Sequence, residues 1–158
     1  ILDSSKNIPN LYFFDPKFSS QEIIEKFFLP SDIFVMPTHE DTFGMVFIEA
    51  LASGKPIITT SQFATTEIGE DHINALFLNN PPLSLDQEIY VHPRFNKDYL
   101  LDPKTEKIIT NELVEKISLL LDTPKLLANL KLNSQKEFKG TGKFSIKQRN
   151  LLCKEIFK

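Results

Sequence analysis

Short apolar runs alternate with helical patterns over the first half of the chain, and four of these runs predict β-strands. They fall at residues 10–14, 33–36, 56–60 and 73–78. The run at 33–36 is uniformly apolar, which favours a parallel strand covered on both faces. Because strands that alternate with helices favour right-handed crossovers, the predicted class is α/β, a Rossmann-like parallel sheet flanked by helices.

Two helices are predicted between these strands, and their ends carry clear signals. Ser19, with Glu22 three residues later, forms a capping box, and Pro30 ends this first helix. Its predicted inward residues are Ile23, Ile24, Phe27 and Phe28. The second helix covers 43–52 and ends at a glycine cap, Gly54.

The C-terminal part of the chain is predicted to be helical. One helix covers 110–121. Its predicted inward residues are Leu113, Ile117, Leu120 and Leu121. Thr123, with Pro124 at the first helical position, begins the next helix, and the glycines at 140–142 end it. Ser145 begins a last helix through a capping box.

Residues 80–109 form an irregular segment that is rich in proline and aromatic residues. The sequence at 102–105 predicts a turn, and a hairpin would fit there. We interpret the segment as an insertion, a loop or hairpin on the surface of a single domain, 1–158. The alternative is a lid, an acceptor-side wall or a partner surface, because long loops in compact domains are often functional.

Composition and charge exclude several classes of function. The chain has 158 residues and a net charge of −3, whereas a nucleic-acid binder carries a basic face. Cys153 is the one cysteine, which excludes a disulfide framework and a multi-cysteine metal site. No apolar run reaches the ~18 residues of a membrane span. We expect a cytoplasmic protein, in which the basic residues at 131–149 form either a solvated helix face or a peripheral contact with the inner membrane.

The segment 37–56, PTHEDTFGMVFIEALASGKP, carries the candidate chemistry. A strand ends, a loop follows, and a helix begins near Gly44, where the first amides have no partner within the helix. Such a helix start suits a phosphate group, and glycine lets a diphosphate approach the backbone. Glu49 is a carboxylate inside an apolar helix, so it either binds ligand hydroxyls, points to solvent or caps a neighbouring amide.

A metal site is not predicted. The sequence His39-Glu40-Asp41 lacks a second histidine at ligand spacing, and His72 and His92 show no such spacing either. We therefore expect no metal and no cofactor other than the substrate.

The same segment resembles the retaining glycosyltransferases of family 4, which have the GT-B fold. Their nucleotide-binding domain has a strand ending in Pro-Ser, two glutamates separated by seven residues, and the sequence Ala-Met-Ala-x-Gly-x-Pro before the next strand. The matching pieces are Pro37-Thr38, Asp41-Thr42-Phe43-Gly44, Glu49-Ala50-Leu51-Ala52 and Gly54-Lys55-Pro56. The resemblance covers residues 7–79 and implies the later part of a C-terminal nucleotide-sugar-binding domain.

This resemblance implies a role for each matching residue. Asp41 and Glu49 would be the catalytic pair. Glu49 would also bind the ribose hydroxyls, and Asp41, which stands where the family has glutamate, would orient the donor sugar. Glu40 is the preceding residue, but alignment of Phe43 and Gly44 with the family motif places Asp41 at the position of the first glutamate. The donor-binding residues that the resemblance implies, besides Glu49, are Thr38, Phe43, Gly44, Met45 and Thr60.

The implied function is retaining transfer of a sugar from a UDP- or GDP-sugar to a glycan or lipid-linked acceptor. The family's acceptor-binding N-terminal domain and its diphosphate-binding Arg/Lys pair have no counterpart here, so we expect the chain not to catalyse transfer alone. Three alternatives stay open: a non-catalytic nucleotide-sugar-binding module, a nucleotide-sugar epimerase of the same architecture, and an interaction domain with a decayed site.

Overall fold

Three parallel strands form the centre of the described chain. A computed structural model describes residues 8–14, 17–38, 43–61, 64–79, 103–140, 142–145 and 147. The strands β1 (Phe34–Val35), β2 (Ile57–Thr60) and β3 (Ala75–Leu78) lie in the order β1-β2-β3. All pairs are parallel, with Val35 opposite Ile58 and Ile58 opposite Leu76. The predicted α/β class, a Rossmann-like parallel sheet with flanking helices, is confirmed.

Helices cover both faces of this sheet because successive strand residues point to opposite sides. The helices after β1 are α2 (Met45–Ala52), α3 (Ala64–Ile68), α4 (Pro103–Asp122) and α5 (Pro124–Lys136). Ile57 packs in one buried cluster with Phe47 and Leu51 of α2. Its neighbour Ile58 packs in the other buried cluster, which includes residues of α4 and α5. The central strand β2 is buried along its whole length.

The first helical segment confirms the predicted capping box. Helix α1 (Ser20–Ile23) begins after Ser19, whose hydroxyl accepts a hydrogen bond from the Glu22 amide while Glu22 binds back to the Ser19 amide. It continues as a π-helical turn, Ile24–Phe28, and the chain leaves it before Pro30. Phe28 is buried, as predicted, and Ile23 and Ile24 pack beside it.

The predicted strand at 10–14 is wrong. Residues 11–14 belong to no strand, and their side chains are exposed, with Tyr12 at 72%. The Phe14 ring packs edge-on against Phe18 and Phe27, at centroid distances of 6.3 and 4.8 Å. Aromatic residues form a strand only where another strand pairs with them, and here the rings pack against one another instead.

Helix α4 begins earlier than predicted. It starts at Pro103, so the turn predicted at 102–105 is wrong for its last three residues, since proline also suits the first turn of a helix. Leu113, Ile117 and Leu120 face the core, but Leu121 is 70% exposed because it lies about 100° around the helix from Leu120. The remainder of the predicted insertion, 80–102, lies outside the described residues.

Helix α5 has Pro124 at its start, as predicted, but it ends before the predicted glycine break. Its last residue is Lys136, and Gly140 follows with a positive φ of 61°. Most of the last predicted helix lies outside the described residues. Within the described ranges, no helix is both long and apolar enough to cross a membrane.

Candidate functional site

The predicted site lies where β1 and β2 end. Because the strands are parallel, their carboxyl ends meet at one edge of the sheet, which is where ligands bind in folds of this kind. The loop after β1 leads to α2, and the loop after β2 leads to α3. The middle of the first loop, 39–42, lies outside the described residues, and so does the predicted catalytic residue Asp41.

Helix α2 begins at Gly44, whose backbone is left-handed, with φ 66° and ψ 35°. Its carbonyl accepts hydrogen bonds from Phe47 and Ile48, at 3.0 and 3.3 Å. A Cβ atom here would lie 2.7 Å from the Cδ1 atom of Ile68 in α3. The left-handed dihedral angles favour glycine at this position, and a larger residue would also force the end of the Ile68 side chain to shift. Glycine also brings no capping side chain to the first amides of α2.

Glu49 lies on the side of α2 away from the core. Phe47, Ala50 and Leu51 are fully buried, whereas Glu49 is half-buried and shares a face with Met45, four residues earlier. No hydrogen bond or ion pair joins the Glu49 carboxylate to another described residue. Partial exposure therefore lowers the cost of placing this carboxylate in an apolar helix.

Two large apolar side chains flank Gly44 at the surface. Phe43 is 66% exposed and Met45 is 54% exposed. Both belong to the predicted set of residues whose amides would contact a donor. The structure brings Phe43, Gly44 and Met45 together at the first turn of α2, one helical turn before Glu49.

Thr38 and Thr60 meet across the ends of β1 and β2. The Thr60 hydroxyl donates to the Thr38 carbonyl and accepts a hydrogen bond from the Thr38 amide, the latter at 3.3 Å. Thr60 is fully buried, so its hydroxyl is engaged with the backbone of Thr38. Both residues were predicted to bind the donor, and that role stays a prediction.

The sequence did not show how the other threonines at this edge are hydrogen-bonded. The Thr65 hydroxyl donates to the Thr60 carbonyl at 2.6 Å, and the Thr59 hydroxyl donates to the Met36 carbonyl at 2.9 Å. Thr59, Thr60 and Thr65 are all fully buried. The available signal was a pair of threonines at the end of a buried strand, followed by another pair at the start of the next helix.

A second cluster of charge lies at the opposite, amino edge of the sheet. Lys131 of α5 forms a 2.6 Å ion pair with Asp32, which holds the pKa of that carboxyl below its usual range. Lys55 donates to the Leu29 carbonyl at 2.9 Å, at the end of the π-helical turn. Burial lowers the pKa of Lys55, and the nearby charge of Lys131 adds to this effect. These contacts join α5 and the first helix to the sheet, far from α2's first turn.

The chain matches the family of glycosyl transferases group 1 over residues 6–89. The match covers more than half of the 158 residues, so the chain belongs to this family. It includes the three strands, α2 and every predicted site residue. Neither the curated proteins nor the solved structures contain a significant match to the chain. The fold and the family together define a glycosyltransferase domain.

Residues that could ligate a metal do not gather in the described part of the chain. No group of three His, Cys, Asp or Glu side chains comes together there. His39, Glu40 and Asp41 lie outside it.

Proposed function

We propose that this chain is the donor-binding half of a retaining glycosyltransferase that uses a UDP- or GDP-linked sugar. The observation that carries the proposal is half-buried Glu49, whose carboxylate has no partner among the described residues, on the helix that begins at Gly44 at the carboxyl edge of a parallel sheet. Glu49 lies five positions after Gly44, about 7.5 Å along the helix axis. A single nucleoside diphosphate is long enough to contact both.

Each end of the donor would meet a different part of α2. The diphosphate would accept hydrogen bonds from the amides at 43–45, where the helix dipole favours negative charge. The ribose hydroxyls would donate to Glu49, which has no other partner among the described residues. Asp41 would orient the sugar.

The chemistry would require positioning and charge stabilisation rather than a strong base. The bond between the anomeric carbon and the phosphate oxygen breaks, and the nucleoside diphosphate leaves with the electron pair. The acceptor hydroxyl forms the new bond on the same face and passes its proton to the departing phosphate. The α2 amides would stabilise the leaving group, so we propose a reaction without a metal ion.

The acceptor and the location are further proposals. We propose that a glycan or lipid-linked acceptor is held by a separate N-terminal domain and that transfer takes place in the cytoplasm. Four lysines of the basic segment have partners within the protein rather than facing a membrane surface unpaired. Lys131, Lys136 and Lys139 bind neighbouring side chains, and Lys143 binds the Glu67 carbonyl, which favours a solvated face.

Calorimetric titration tests the donor proposal. UDP, GDP and ADP, each alone and as a sugar conjugate, are titrated into the wild type, Glu49→Gln and Glu70→Gln. Glu70 is an exposed carboxylate at the amino edge and serves as the control. We expect one nucleoside diphosphate to bind to the wild type. Glu49→Gln should lose about 1–3 kcal/mol of binding free energy, and Glu70→Gln should bind as the wild type does.

Other outcomes would support different functions. A folded wild-type chain that binds none of these nucleotides contradicts the proposal. Turnover of a nucleotide sugar without any acceptor would support an epimerase. Binding with no transfer in the presence of an acceptor domain would support a binding module.

A further inference from the structure

Backbone hydrogen bonds between β1 and β2 follow a regular step. The Phe34 amide donates to the Pro56 carbonyl, and the Met36 amide donates to the Ile58 carbonyl, both at 3.0 Å. Each step advances two residues on both strands, as in any parallel ladder. A third step would join the amide of residue 38 to the carbonyl of residue 60.

The third step is made by a side chain instead. The Thr38 amide donates to the hydroxyl of Thr60, and that hydroxyl donates back to the Thr38 carbonyl. One side chain therefore holds both backbone groups of Thr38 at the point where the loop to α2 begins. Because Thr60 is fully buried, this pairing is protected from water.

Because the Thr60 hydroxyl takes the Thr38 amide, the Thr60 carbonyl can accept a hydrogen bond from a different element. It accepts the hydroxyl hydrogen of Thr65, which lies in α3. Thr60 thus joins the loop before α2 to helix α3. The start of α2 also lies beside α3, since a Cβ atom on Gly44 would be 2.7 Å from the Cδ1 atom of Ile68 and 3.6 Å from the Cβ atom of Ala64.

We infer that Thr60 is a positioning residue of the donor site. It fixes the position of Thr38, where the loop to α2 begins, and it fixes the position of α3 through Thr65. Its hydroxyl is occupied by the Thr38 backbone, so it acts on the donor through the loop rather than by contact. The inference rests on the proposed function, because it assumes that a nucleotide sugar binds at the start of α2.

Three variants of the 158-residue chain test this role. Thr60→Val removes the hydroxyl at nearly constant volume, and Thr60→Ser restores it. Thr59→Val is the matched control, because it removes the buried hydroxyl bond from Thr59 to the Met36 carbonyl, just after β1, without touching Thr38. Urea unfolding places the variants on a common stability scale.

Two measurements are made on each variant: amide hydrogen exchange at Thr38, and calorimetric binding of UDP-glucose and GDP-mannose. We expect Thr60→Val to speed Thr38 exchange and to weaken binding, each by about tenfold beyond Thr59→Val. Thr60→Ser should recover both. If Thr60→Val does not fold, Thr65→Val releases the carbonyl alone and should still weaken binding.

Distinct results would overturn the inference. Weaker binding with unchanged Thr38 exchange would make Thr60 a contact residue, and equal losses in Thr59→Val and Thr60→Val would reduce it to a general stability role. If the wild type binds neither nucleotide sugar, the proposed function fails. Thr38 exchange then still decides whether Thr60 holds the loop.

Discussion

Gly44 and Ile68 lie so close that a Cβ atom on Gly44 would be 2.7 Å from the Cδ1 atom of Ile68. This contact brings the start of α2 against α3 at the carboxyl edge of the sheet. The left-handed backbone of Gly44 and its close packing are separate constraints, and each opposes a larger residue. They can be measured separately because Gly140 shares only the first.

Gly44→Ala should therefore destabilise the protein more than Gly140→Ala. Both glycines have positive φ values, 66° and 61°, so alanine costs about 1–2 kcal/mol at each. A methyl group on Gly140 would have no described atom within 4 Å, whereas one on Gly44 would meet Ile68 and Phe47. We expect a further loss of about 1–3 kcal/mol at Gly44. Urea unfolding measures the difference, and equal losses would contradict the packing argument.

Leu120 and Leu121 are adjacent in α4 but differ in burial, at 1% and 70% exposed. Leu120→Ala should cost about 2–5 kcal/mol because it leaves a cavity in the cluster between the sheet and the helices. Leu121→Ala should cost less than about 0.5 kcal/mol. Thermal and urea unfolding of the pair measure these values. A large loss at Leu121 would contradict the orientation of α4.

Glu22 should stay ionised in unusually acidic solution. Its hydrogen bond to Lys26, with those to Ser19, lowers the carboxyl pKa from 4.5 to about 2. Since the folded-state pKa is the lower one, Glu22 stabilises the fold above pH 4.5, and this contribution is lost as the pH falls towards 2. NMR titration of the carboxyl measures the pKa directly. Lys26→Met should raise it, whereas Lys107→Met on α4 should not.

Binding measurements can test whether Asp41 or Glu40 is the carboxylate that orients the donor sugar, although both lie outside the described residues. Asp41→Asn should weaken binding of a nucleotide sugar by about 1–3 kcal/mol while leaving the bare nucleoside diphosphate unaffected. Glu40→Gln should change neither, and Asp41→Glu should retain binding because the carboxylate is kept. Calorimetry compares the four proteins. If Glu40→Gln weakens binding of the nucleotide sugar and Asp41→Asn does not, the carboxylate that orients the sugar is Glu40, one residue earlier in the motif.

Local signals predicted the helix starts well. The Ser19–Glu22 capping box and the Pro124 start both occur as predicted, because each depends on groups within a few residues of one another. The boundaries at Pro103 and Lys136 differ from prediction. A proline suits either a turn or a first helical turn, and packing against the sheet decides between them.

The candidate site was predicted in part. The sequence pattern indicated Gly44 at the start of α2 and drew attention to Glu49, and the structure has both residues on one helix at the carboxyl edge. The pattern left open whether Glu49 points to solvent, and it did not indicate that Thr60 binds Thr38. Those facts depend on how strands from distant parts of the chain align.

The sequence by itself determined the alternation of strands and helices, the parallel sheet and the caps, since these follow from periodicity and neighbouring residues. The family was indicated separately, by the resemblance of the segment 37–56. Tertiary structure alone decided that residues 11–14 stay outside the sheet and that Thr60 joins the loop before α2 to helix α3. It also decided that Lys131 pairs with Asp32, 99 positions away. The physical reason is that pairing partners, burial and register arise only when distant segments pack together.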